Sequence, residues 1–235
     1  MNALLEVDAI STYYGLSRAL FDVSLSVERG QCVCLLGRNG VGKSTVMRSI
    51  IGLNPPSQGR VTWKSTAITG WRANRVARAG IGYVPEDRRV FGELSVQENL
   101  EVAGRAAQRP GRWTIDAAWQ LFPKLHTLRD RRAGFLSGGE QQMLTIARTL
   151  MCNPELLLLD EPSEGLAPMV VDNLLEQIRQ LKNDGLTILL AEQGVTFSLT
   201  LADYVYVLEK GSVIHSGPAS ALREDSVLRD RLLTL

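Results

Sequence analysis

The run CVCLLGRNGVGKSTVMRSII, residues 32 to 51, restricts the fold of this chain more than any other stretch. Five apolar residues with the look of a buried strand lead into G-x-x-x-x-G-K-[ST], from Gly37 to Ser44, and a helical pattern starts at once. The glycines let the backbone wrap so that its N–H groups point inward at phosphate oxygens, and the following helix adds the positive end of its dipole. Gly37, Arg38, Asn39, Gly40, Val41, Gly42, Lys43, Ser44 and Thr45 are therefore candidate nucleotide contacts. Lys43 is spaced to reach the terminal phosphates, and the Ser44 hydroxyl to ligate Mg²⁺. Strand, loop and helix in that order imply an α/β protein with a nucleotide site.

A second constellation lies farther on, where LLLL ends in Asp160-Glu161-Pro162. Taken alone, the two carboxylates could simply open a loop as solvated charges or cap the next helix. With a phosphate loop upstream, Asp160 at the tip of a buried strand is placed to hold Mg²⁺ through water, and Glu161 to poise water for attack on a γ-phosphate. A third is LSGGEQQ, residues 136 to 142, where two adjacent glycines open a helical pattern. Ordered glycines are entropically costly. Free N–H groups at a helix start make an anion site, and Ser137 adds a hydroxyl donor. Two phosphate-seeking segments far apart in sequence suit a nucleotide held between two molecules.

Elsewhere, short Val-, Ile- and Leu-rich runs alternate with helical patterns. Strands are expected at LLEVDAI, FDVSLSV (21–27), CVCLL (32–36), GRVTW (59–63), GIGYV (80–84), LLLLD (156–160), LTILLA (186–191), YVYVL (204–208) and SVIH (212–215). FDVSLSV alternates as a half-exposed antiparallel strand does, whereas LLLL and TILLA are apolar on both faces, as in a parallel sheet between helices. Helices are expected at TVMRSII, QQMLTIARTLM and MVVDNLLEQIRQLK, with one or two more in the tail ASALREDSVLRDRLLTL. From about 87 to 140 the pattern turns helical and irregular, with a break at QRPGRW, and reads as an insertion.

Composition narrows the classes. With 26 Lys plus Arg against 25 Asp plus Glu, the net charge of +1 argues against a dedicated nucleic-acid binder. No apolar run is long enough for a membrane span, and MNALLEVDAISTYY lacks the pattern of a secretory leader, so a cytosolic location is expected. Cys32, Cys34 and Cys152 show no metal or redox spacing; the first two fall on one face of a strand, as small buried residues do. His126 and His215 are isolated and read as structural.

Phosphate loop, LSGGE and LLLLDEPSEGL, in that order, resemble the ATP-binding subunit of ABC transporters over practically the whole chain. The resemblance implies a P-loop NTPase: a RecA-like, mostly parallel sheet core, about 1–86 and 145–235, with an N-terminal antiparallel β subdomain and an inserted helical subdomain, about 87–144. It implies ATP and Mg²⁺, Tyr14 stacked on adenine, and Ser137, Gly138, Gly139 and Glu140 completing the ATP site of an opposing subunit in a head-to-tail dimer. Ser163, Glu164, Gly165 and Leu166 would communicate across that dimer. The family pattern is broken twice. Glu86 stands where a glutamine contacts Mg²⁺ and water, and Gln193 where a histidine contacts the γ-phosphate. A carboxylate can replace an amide at magnesium, and Gln193 can still donate a hydrogen bond but cannot carry a proton. Glu161 and Gln193 are the candidate catalytic residues, and Ser44, Glu86 and Asp160 the candidate metal ligands.

The spellings VPEDRRVFGELSVQENL and LLAEQG resemble the branch that takes up branched-chain amino acids and related amide or urea solutes. Here the chain is similar to the shorter of two ATP-binding subunits, working with two membrane proteins and a periplasmic binding protein on the cytoplasmic face of the membrane. Arg88, Arg89, Val90 and Phe91 would border the groove for the membrane partner; a solvated basic pair beside a core aromatic is the plainer alternative. A nucleotide-gated regulatory subunit with weak hydrolysis is the competing functional reading, and homodimer and heterodimer stay equally open.

Overall fold

A computed structural model describes residues 3–106 and 110–233. Strands β1 (Leu5–Tyr14) and β2 (Ser17–Val27) form an antiparallel pair, and β3 (Cys32–Leu36) runs into α1 (Lys43–Ile51). After β4 (Gln58–Trp63), β5 (Thr66–Ala67), α2 (Ala73–Arg78) and β6 (Ile81–Val84) comes a helical stretch: α3 (Val96–Ala106), α4 (Ile115–Leu121), α5 (Pro123–Thr127) and a 3₁₀ turn at Ala133–Phe135. The chain then makes α6 (Gly138–Leu150), β7 (Leu156–Asp160), α7 (Pro168–Asn183), β8 (Thr187–Glu192), α8 (Val195–Leu201), β9 (Tyr204–Glu209), β10 (Ser212–Pro218), α9 (Ala219–Glu224) and α10 (Ser226–Leu233). Among the described residues no helix is long and apolar enough to cross a membrane.

Two sheets result, a four-stranded one in the order β2-β1-β4-β5 and a six-stranded one in the order β10-β9-β3-β8-β7-β6. The second is parallel except at β10, which returns antiparallel along β9. Its central strands are apolar on both faces because both are covered. Cys32, Cys34 and Leu36 face a cluster built from α6, α7, α8 and the helical stretch, while Val33 and Leu35 face α1 and the antiparallel sheet. Each fully buried leucine there contributes about 1.5–3 kcal/mol.

Parallel register decides where the chemistry gathers. Leu36 pairs with Glu192, Asp160 with Ala191 and Val84 with Leu159, so the carboxyl ends of β3, β6, β7 and β8 share one edge. Ligands of open α/β sheets bind at that edge. At that edge β3 gives way to the loop whose Gly37 and Gly42 have φ of +155° and +114°. A Cβ on Gly37 would lie 2.5 Å from the Leu208 carbonyl oxygen, so only glycine fits both the turn and the contact.

Several boundaries differ from the sequence reading. The first strand continues past LLEVDAI to Tyr14, carried by register shifts that keep pairing with β2 alive. Tyr14 is the last residue of β1. The helix after the phosphate loop begins at Lys43, two residues before TVMRSII, capped by left-handed Gly42. LTILLA is shifted by one, so Glu192 is the last strand residue. The strand expected from Gly80 starts at Ile81, because Gly80 turns at φ +109°. Strand β5 and helices α2 and α8 are short elements without periodic signal in the sequence. Of the QRPGRW break, residues 107–109 lie outside the described set, and Pro110 onward is irregular until α4.

Candidate functional site

At the mouth of the sheet Lys43 is enclosed by its own loop. Its Nζ donates to the carbonyl oxygens of Gly37 (2.7 Å) and Arg38 (3.0 Å), and lies 3.0 Å from Glu161 Oε1. The two side chains are only 2% and 7% exposed, so the ion pair is poorly screened. Glu161 is held by a hydrogen bond from its N–H to the Ala191 carbonyl (2.9 Å) and takes φ +45°, a left-handed conformation unusual for a non-glycine. The turn between β9 and β10 braces the loop from outside, since Gly211 N–H donates to the Val41 carbonyl (2.9 Å).

Beside this pair, Asp160 accepts hydrogen bonds from Ser44 Oγ and from the Tyr83 hydroxyl, each at 2.9 Å. Asp160 is fully buried. Burial lifts its carboxyl above the ordinary range against the pull of the two hydroxyls, and the charge of Glu86 adds to the lift. Glu86, half-exposed, lies 3.5 Å from Arg48. Ser44 and Asp160, hydrogen-bonded to each other beside the phosphate loop, offer hard oxygen donors of the kind Mg²⁺ prefers, and Glu86 is near enough for its charge to act on Asp160.

Tyr14 faces Thr45, Arg48 and Asn54. Burial alone would raise its phenol, but hydrogen bonds with these three outweigh it and hold the group below the usual tyrosine value. The residue as a whole remains about half exposed. Gln193 is exposed and lines a cavity on the outer side of the phosphate loop with Arg38, Asn39 and Val41.

The residues Ser137, Gly138, Gly139 and Glu140 are not brought to Lys43 within one chain. Ser137 caps α6: its Oγ accepts from Glu140 N–H (3.4 Å), while the Glu140 carboxylate accepts from Ser137 N–H (2.9 Å). The hydroxyl proton of Ser137 is left to donate. The two glycines permit close approaches, because a Cβ on Gly138 would meet Arg88 Nη1 at 2.5 Å and one on Gly139 would meet Val170 at 2.6 Å. Arg88 also donates to the Glu164 carbonyl, so it ties the segment after β6 to the loop after β7 rather than standing free. Arg89 pairs with Asp87 (2.5 Å), Val90 packs on the core, and half-exposed Phe91 lies under Arg148, 4.6 Å from its ring centroid.

Sequence reasoning missed Glu192. It is almost completely buried and accepts from the amides of Ser163 (3.0 Å), Gln193 (3.2 Å) and Gly194 (3.4 Å), fixing the loop Ser163–Leu166 to the end of β8. Burial raises its carboxyl, and the three amides pull it partly back. The neighbouring Glu161 carboxylate, then burial, raises the Glu164 carboxyl. Tyr83 and Arg48 were also missed; only the apolar run GIGYV and the pattern of α1 bore on them.

Comparison with known proteins agrees with this geometry. Residues 20–164 match the ABC transporter family. BraG of Pseudomonas aeruginosa, a high-affinity branched-chain amino acid transport ATP-binding protein, is 42% identical over 98% of this chain and 99% of its own length. LivF of Archaeoglobus fulgidus, a probable branched-chain amino acid transport ATP-binding protein, is 38% identical over 87% and 88%. LptB of Escherichia coli K12, the ATP-binding protein of a lipopolysaccharide export system, is 34% identical over 97% and 96%. Among solved structures, the ADP conformation of MJ1267, an ATP-binding cassette of an ABC transporter, superposes with a TM-score of 0.84 at 28% identity, covering 100% of this chain and 98% of that one. With its phosphate loop, paired carboxylates and cassette fold, the chain belongs to the ABC transporter family, as an ATP-binding subunit and ATPase.

Proposed function

We propose that this subunit binds Mg-ATP between the phosphate loop of one copy and the start of α6 of a facing ATP-binding subunit, and that hydrolysis powers uptake of branched-chain amino acids. One observation carries the reading: Lys43, Ser44, Asp160 and Glu161 form a single connected cluster, while Ser137 lies outside it with a hydroxyl proton to give. A half-site of each kind on every copy is what a head-to-tail pair requires. Bound Mg²⁺ would neutralise charge developing on the phosphates.

In this reading Ser44 and Glu86 would hold the metal, and Asp160 would hold it through water. Lys43 releases Glu161 and turns to the terminal phosphates, and Glu161 then orients water and accepts its proton. Gln193 donates its amide hydrogen bond toward the γ-phosphate, Tyr14 stacks on the base, and Glu192 holds the loop Ser163–Leu166 where it can meet the facing subunit. The core of about 1–86 and 145–235 carries the phosphate loop, and the helical subdomain of about 87–144 carries Arg88 to Phe91 toward two membrane subunits. The subunit works at the cytoplasmic face, with a solute-binding protein on the far side.

The importer branch is preferred because BraG matches at 42% identity and the export protein LptB at 34%. The test is reconstitution with the two membrane proteins, the second ATP-binding subunit and the binding protein in vesicles. ATP-dependent accumulation of leucine, isoleucine or valine is expected, abolished by Glu161→Gln. Phosphate release without accumulation of any of the three would overturn the solute assignment, and no phosphate release the hydrolytic one.

A further inference from the structure

The cavity at the phosphate loop has a wall that the phosphate-binding motif does not supply. Arg18 and Phe21 of β2, and Lys210 in the turn before β10, line it together with Gly42, Lys43 and Glu161. Strand β2 is fixed there by packing: Phe21 N–H donates to the Gly211 carbonyl (2.8 Å), and a Cβ on Gly42 would lie 2.8 Å from the Leu20 side chain.

Arg18 is held rigidly in this wall. Its Nε donates to the Leu20 carbonyl (3.1 Å), and its Nη2 to Ser11 Oγ (2.6 Å) and Asp22 Oδ1 (2.9 Å). The guanidinium carbon lies 4.7 Å from the Phe21 ring centroid, which fixes the plane of the group. Among the described residues Nη1 has no hydrogen-bond partner. Three donors anchor the guanidinium while the two on Nη1 are left over. The rotamer entropy that a flexible arginine would lose on meeting a ligand is already spent in folding. Lys43, by contrast, starts out paired with Glu161.

We propose that Arg18 is a second cation of the nucleotide site, donating from Nη1 to the polyphosphate chain of bound ATP. The proposal rests on the ATP-binding reading above. The phosphates, rather than the base, are the target because Tyr14, the candidate base platform, faces Thr45, Arg48 and Asn54, whereas Arg18 shares its cavity with Gly42 and Lys43. Asp22 is the orienting partner, and its own side chain is largely exposed, so it leaves most of the arginine's charge available to an anion.

The test is calorimetric titration of ATP into the full-length protein and its variants Arg18→Gln and Arg18→Lys, with thermal melting to check folding. Arg18→Gln keeps a hydrogen-bond donor but no charge, and binds about 10-fold more weakly. Arg18→Lys keeps the charge without the pre-oriented fork, and its affinity falls between that of the wild type and that of Arg18→Gln. Wild-type affinity in Arg18→Gln would overturn the proposal, and so would an equal loss in both variants, since charge would then be irrelevant. If the wild-type protein itself binds no ATP, the nucleotide reading fails and this contact with it; normal wild-type binding beside an unaffected Arg18→Gln refutes the contact alone.

Discussion

Replacing Glu161 by glutamine separates two things this carboxylate does. In the nucleotide-free chain it is the counter-ion of Lys43, 3.0 Å away and almost fully buried. At an effective dielectric of about 20 their attraction is about 5 kcal/mol, and desolvation of both ends consumes part of it. Removing one partner of such a pair costs about 3–5 kcal/mol. An amide oxygen still accepts one hydrogen bond from Lys43, so the lower end, about 3 kcal/mol, is expected. For a chain of this size that is a melting temperature lower by roughly 6–12 °C. ATP brings phosphate charge to Lys43 and cancels the deficit, so the same variant binds ATP up to about 100-fold more tightly than wild type. Phosphate release falls by about 10²–10⁴ because the proton acceptor is gone. Scanning calorimetry with and without ATP, titration calorimetry and a phosphate assay read all three. A variant that melts with the wild type and binds ATP no more tightly would refute the counter-ion role, whatever its hydrolysis.

Gly138→Ala places its methyl against the far end of the long Arg88 side chain, which can shift, whereas Gly139→Ala drives one into Val170 on α7. The first should melt near wild type yet lose most ATPase activity; the second should lose about 1–3 kcal/mol in denaturant unfolding, recovered in part by Val170→Ala. Glu192→Gln cannot accept from three amides at once, so hydrogen exchange at Ser163, Gln193 and Gly194 should quicken and stability drop by about 1–3 kcal/mol. Unchanged exchange would show that the loop is held otherwise. Burial pushes the Cys32 thiol from 9.0 up to about 12 and raises Cys34 as well. The unfolded chain loses these protons from about pH 9 while the native one keeps them, so stability is retained below that pH and lost as it rises toward 12. Each thiol contributes about 1.4 kcal/mol per pH unit to that slope. Urea unfolding at rising pH should show a shallower loss in the Cys32→Ala/Cys34→Ala protein, and identical slopes would contradict the burial argument.

What the sequence disclosed was whatever is local. Gly37 to Ser44 carries its strand, turn and helix in one run, and LLLLD announces both its burial and the carboxylate at its tip. The face shared by Cys32 and Cys34 follows from strand period alone, and both fall in the same core cluster. What stayed hidden depends on register and tertiary packing. Glu192 reaches the Ser163 amide only because β7 and β8 pair in parallel with Asp160 opposite Ala191. Arg18 of β2 and Lys210 of the turn between β9 and β10 come to one cavity from segments far apart in sequence, and nothing in their neighbours marks them. Helix α8 is a single short element whose apolar residues, Val195, Phe197, Leu199 and Leu201, alternate as in a strand and do not keep a helical period. The Lys43–Glu161 ion pair was likewise invisible, since each residue alone suggested a role toward phosphate or water.

The composite site itself is best tested by determining the structure of the Glu161→Gln protein with Mg-ATP, in company with its partner subunit. Two subunits should enclose the nucleotide, with the γ-phosphate within hydrogen-bond distance of Lys43 on one side and of the facing copy's Ser137 hydroxyl on the other. A nucleotide fully enclosed by a single chain, with Ser137 turned away from every phosphate, would contradict it.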